Sequence, residues 1–131
     1  MKWWWRSGSR MDYESVIRVE SKSRPGVTFA VRRISFERRL ELIRRIREVA
    51  QRIEFLEAGK DPHEGIEASL LAAEVDRIYL LWGLTKVEGL AVDGREATPE
   101  LLAEAGPEDL CREAVAAIKA ECGLTDEERK N

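Results

Sequence analysis

His63 is the only histidine in the chain, and it stands between Asp61 and Glu64 in "KDPHEG". An imidazole beside carboxylates is the commonest acid–base arrangement, but a general base also needs an oriented partner and a closed pocket. Here all three residues fall in the first turn of a helix start, where side chains are solvated. No serine or cysteine lies in a matching environment. Cys111 and Cys122 are the only cysteines. On one helix they would sit about 16 Å apart along the axis, too far for a mutual disulfide, which needs Cα atoms within ~7 Å. They fall on nearly the same face and read as small apolar core residues. His63 with two distant cysteines matches no zinc spacing. The nine glycines are scattered at turns and helix ends, with no phosphate-cradling run among them. The residues therefore predict no enzyme, no cofactor and no metal.

Charge is the other chemistry on offer. Residues 22–52 carry ten Lys/Arg against three Asp/Glu, whereas residues 53–131 carry eight against nineteen. Glu41 precedes Arg45, and Glu48 precedes Arg52, by four residues, the favourable order for pairs along a helix. Arg32, Arg33, Arg38 and Arg39 are less compensated locally. Three destinations are open to them: the acidic C-terminal half, within the chain or in a neighbouring copy; a protein partner; or phosphates. Charge balance disfavours nucleic acid. Arg32, Arg33, Arg38 and Arg39, together with Trp82, are the candidate partner-binding residues, and a homo-oligomer is among the arrangements they allow.

These residues need elements to position them. The expected fold is α+β, mainly α: an N-terminal β-hairpin, an antiparallel helical hairpin, a small second β-hairpin and C-terminal helices. "YESVIRVES" and "GVTFAVRRI" are rich in β-branched and aromatic residues, and Pro25-Gly26 turns between them. Val27, Phe29 and Val31 should share one face. A lone hairpin is marginal in water, so this one must pack on helices or pair with further strands. Ser35 caps a helix over residues 36–58, with Leu42, Ile46, Val49, Ile53 and Leu56 as its core stripe and Gly59 at its end. Asp61, Pro62 and Glu64 start the next helix in a capping-box pattern. That helix runs to about Trp82, and Ile66, Leu70, Leu71, Val75, Ile78 and Trp82 are expected to face inward. Gly83 stops it. "TKVEGLAVDGREAT" reads as a hairpin about Asp93-Gly94. Thr98-Pro99 starts a further helix, and Leu110, Ala114, Val115, Ile118 and Cys122 mark the core face of a last one, closed by Gly123.

One globular domain is expected over residues 13–124, with residues 125–131 a polar tail. Residues 1–12 contain Trp3, Trp4 and Trp5 and follow no periodicity. They read either as a flexible tail with an aromatic tip or as a start-site artefact, with Met11 the true start. The segment's three tryptophans are too short a run for the apolar region of a secretory signal, and no apolar run reaches the ~18 residues of a membrane helix. The expectation is a cytoplasmic protein with no membrane association.

The element order, with "FAVRRISFERRLELIRRI" and "WGLTKVEGLAVDGREATPELL", resembles the tail assembly chaperones of long-tailed bacteriophages and prophages. The resemblance covers residues 13–131 and implies a non-enzymatic protein in the bacterial host cytoplasm. It implies binding to the tape-measure protein, help in recruiting tail-tube subunits, and departure before the tail matures. The alternatives are a structural or completion subunit of a tail, or a small nucleic-acid-binding regulator that uses the Arg-rich first helix.

Overall fold

A computed structural model of the chain describes residues 10–58, 62–124 and 128. The architecture is α+β and mainly helical. Strand β1 (Val16–Glu20) and strand β2 (Thr28–Arg32) form the expected antiparallel hairpin. Its turn is tied off by Ser21 N–H donating to Val27 O at 2.8 Å. Two long helices come next, α1 (Phe36–Glu57) and α2 (Pro62–Gly83), packed along one another. Ser35 caps α1 as its sequence demands, its side chain accepting from Arg38 N–H. Gly59 and the Asp61 cap lie outside the described residues, as do the N-terminal tryptophans and residues 129–131.

Strand β3 (Leu84–Glu88) starts directly after α2 and pairs antiparallel with β2, giving a sheet of order β1-β2-β3. The expected second hairpin is therefore divided. Its first half joins the N-terminal sheet, and only β4 (Ala91–Val92) and β5 (Arg95–Glu96) close on the Asp93-Gly94 turn. Both turn residues take positive φ, 51° and 78°, as a two-residue hairpin turn requires. The pairing of β2 with β3 shifts register at Thr85, whose hydroxyl donates to Ala30 O at 3.0 Å. The bulge lets β3 leave α2 without a linker.

Helix α3 (Pro99–Ala105) is capped by Thr98, and α4 (Glu108–Cys122) ends on Gly123 in the left-handed region. All five residues expected on the core face of α4 are buried. A single apolar cluster joins them to Phe29, Val31 and Val87 of the sheet, Leu42 and Ile46 of α1, and Tyr79 and Trp82 of α2. As a central strand β2 is covered on both faces, so Ala30 is buried along with Phe29 and Val31.

Helix α2 departs from expectation. Leu71 and Trp82 are buried and Val75 and Ile78 half-buried, but Ile66 and Leu70 are each 62% exposed. Tyr79, at 1% exposure, takes the core place that spacing had not marked. The physical reason is that α2 is apolar around most of its circumference, so periodicity alone does not say which stripe faces inward.

Candidate functional site

The arginines singled out in the sequence are drawn into the chain's own fold. Arg32 Nε donates to Trp82 O at 2.9 Å, tying β2 to the end of α2. Arg38 Nη1 reaches Ser15 O at 2.9 Å and Arg33 O at 3.1 Å, bracing the strands against the first turn of α1. Arg39 meets the Glu128 carboxylate at 3.2 Å, and Arg47 Nε donates to Glu128 O at 3.0 Å. Arg33 lies 5.4 Å over the Tyr13 ring, with its Nε 3.7 Å from Glu121 Oε1. That gap is beyond hydrogen-bond reach, so this buried Nε–H holds an ion-pair position without a hydrogen bond. Of the three destinations, the acidic C-terminal half of the same chain thus receives Arg33 and Arg39. Trp82 is 6% exposed and belongs to the core, so its side chain is withdrawn from any partner surface.

His63 is exposed near the start of α2. Cys111 is half-buried and Cys122 buried, both as free thiols. Cys111 Sγ donates to Leu102 O at 3.3 Å. Burial, with help from Glu108 and Asp109, pushes its thiol above the ordinary value. Burial and the nearby Glu121 push the Cys122 thiol up to about 11. Neither is a thiolate at neutral pH, which removes the reactive form. Among the described residues no group of His, Cys, Asp and Glu is placed to hold a metal, and no helix is long and apolar enough to cross a membrane.

A concave feature of the described surface lies elsewhere, between α2, α3 and α4. It is an open groove of about 1140 Å³. Its floor is Leu80, Leu81 and Val115, and its walls include Ala72, Ala73, Ala103 and Ala116. The alanines make the groove: a helix surface with methyl groups where larger side chains would interdigitate leaves unfilled space beside its neighbour. The rim is charged. Lys119 bridges α4 to Asp76 of α2 at 2.8 Å and lies 5.3 Å over the Tyr79 ring. Arg112 pairs with Glu108 at 2.8 Å, and Arg77 with Glu74 at 3.1 Å.

A stripe of α2 extends beyond the groove, whose α2 lining begins at Ser69. Ile66, Leu70, Ala73, Arg77 and Leu80 recur at spacings of four and three, which puts them on one stripe. Ala68, Leu71, Val75, Ile78 and Trp82 form another, about 160° away at ~100° per residue. The second stripe faces the core. The first is roofed by α3 and α4 near Leu80 and bare at Ile66 and Leu70. Sequence reasoning missed this site because it assigned one inward face to α2. The signal available was the pair of interleaved 3–4 patterns in "GIEASLLAAEVDRIYLLWG". Comparison of the chain with family models, with curated proteins and with solved structures finds no match to any of them.

Proposed function

We propose that this chain is a non-enzymatic assembly factor of the phage tail-assembly-chaperone kind, acting in the bacterial host cytoplasm. It holds helical segments of a tape-measure protein while tail-tube subunits are brought to it. The observation that carries this reading is the outward, mainly apolar stripe of α2. It runs from the bare Ile66 and Leu70 into a groove with an apolar floor and a charged rim. Open apolar grooves between helices accept amphipathic helices, and contiguous exposed apolar surface marks protein-binding sites. The charged rim keeps such a surface soluble between clients. The order of elements, which carries the family resemblance, supports the same class. The internal engagement of Arg32, Arg33, Arg38 and Arg39 weighs against a nucleic-acid regulator, because those groups already have partners within the chain.

The test is co-purification with a phage tape-measure protein, then mass spectrometry of mature particles. A chaperone is captured with the tape-measure protein and absent from finished particles. Failure to capture it refutes the proposal. Retention of this chain in the particles would make it a structural or completion subunit instead.

A further inference from the structure

The groove is not electrically neutral in what it leaves over. Arg77, Arg112 and Lys119 each face a carboxylate already, Glu74, Glu108 and Asp76. On the α3 wall, Glu100 and Glu104 stand four residues apart and both line the groove. Both are exposed, and neither has an ion-pair partner among the described residues. The spare charge of the groove is therefore negative and lies toward its α3 end. The large exposed aliphatic side chains, Ile66 and Leu70, lie at the other end of the α2 stripe. From Ile66 to Leu80 the stripe is about 21 Å long at ~1.5 Å per residue, which matches four turns of a docked helix.

We infer that the groove takes an amphipathic helix of a partner protein with two chemically distinct ends. One end carries an aliphatic seam for Ile66 and Leu70. The other carries Lys or Arg four residues apart to meet Glu100 and Glu104. Between them the seam consists of small residues, because the alanine walls admit a helix closely only where its own side chains are short. This rests on the proposed function in supplying the kind of client, and it adds which helices of that client are bound and in which direction. The cationic end sets orientation and the aliphatic end supplies most of the apolar burial, the division of labour expected of complementary interfaces.

The probe is a synthetic 18-residue helix with a Leu end, an Ala centre and two lysines four apart at the other end. It is titrated into the full chain by fluorescence anisotropy. A counterpart with glutamates for the lysines serves as control. Saturable one-to-one binding of the lysine helix is expected, with at least tenfold weaker binding of the glutamate helix. Leu70→Asp and the pair Glu100→Lys and Glu104→Lys should each weaken the lysine helix at least tenfold. All three sites are exposed, so circular dichroism should show the fold intact. Glu96→Lys, exposed but outside the groove, should leave binding unchanged. Binding that ignores the groove substitutions overturns the inference. So does self-association that the same substitutions abolish without peptide binding, which would assign the groove to a second copy. Groove-specific peptide binding without capture of the tape-measure protein would remove the proposed function and keep this inference. Capture that is indifferent to Leu70→Asp and to the Glu100 and Glu104 reversals would do the reverse.

Discussion

Gly83→Ala tests the packing between the end of α2 and the core of α4. A Cβ at Gly83 would stand 2.5 Å from Ile118 Cγ2, 3.0 Å from Cγ1 and 3.1 Å from Cδ1. Cγ2 is bonded directly to the branched Cβ of a fully buried residue, so it cannot swing aside as a chain end would. Overpacking of this kind costs about 1–3 kcal/mol. Alanine recovers at most about 1 kcal/mol of helix propensity, and less at a terminal residue. The expected net is a destabilisation of about 1–2 kcal/mol, read in urea melts monitored by circular dichroism. In an Ile118→Ala background all three clashing carbons are gone. That substitution alone costs about 2–5 kcal/mol, but Gly83→Ala should then be neutral or stabilising. An Ile118→Val background keeps Cγ2 and should not relieve the cost. A cost equal in the wild-type and Ile118→Ala backgrounds, or a stabilised Gly83→Ala single variant, would refute the assigned contact.

Ile46 is 1% exposed on α1, so Ile46→Asp should destabilise by about 4 kcal/mol through cavity and buried charge together; a melting temperature within a few degrees of wild type would contradict its place in the core. Glu113 accepts from Ser21 Oγ and Lys22 N–H, both at 2.6 Å, and from Ser23 Oγ at 3.0 Å. The Ser21 bond foremost, with the other two, holds its carboxyl below the ordinary 4.5. Its contribution is present above that value and lost as pH falls through the lower native one, so Glu113→Gln should flatten the fall of melting temperature between pH 5 and 3. The Cys122 thiol, raised to about 11 mainly by burial, stays protonated in the native state while the unfolded thiol ionises near pH 9. Stability should therefore fall as pH rises from 9 to 11, and less so in Cys122→Ser once that variant's own cost is subtracted. At pH 8 Cys122 should resist a thiol reagent until the chain unfolds, while half-buried Cys111 reacts sooner.

Local chemistry made much of the fold legible. Ser35 and Thr98 announce helix starts because their side chains supply what the first turn lacks. Asp93-Gly94 announces its turn because only such pairs take two positive φ angles cheaply. The α4 face was readable because its opposite face is polar. Three features were not. The pairing of β3 with β2 depends on a partner distant in sequence, and nothing in "TKVEG" distinguishes it from one arm of a hairpin with "LAV" and "REAT". The orientation of α2 was ambiguous because apolar residues occupy two stripes. The arginines were legible as charges, with the acidic C-terminal half as one destination for them, but the individual acceptors were not. The acceptors of Arg32 and Arg38 are backbone carbonyls, Trp82 O and Ser15 O, a group that every residue possesses.

The placement of α1 and α2 between two hydrogen-bonded strands has a consequence for synthesis. Strand β2 finds β1 at once, but its other edge stays open until both long helices have been translated and β3 emerges. At the usual 5–20 residues per second that interval is about 3–10 s. Throughout it the nascent chain displays a strand edge backed by Phe29 and Val31 with nothing to close against. Any pause within α2 lengthens that exposure, and slow-codon substitutions there should lower soluble yield while leaving the mature protein's stability unchanged.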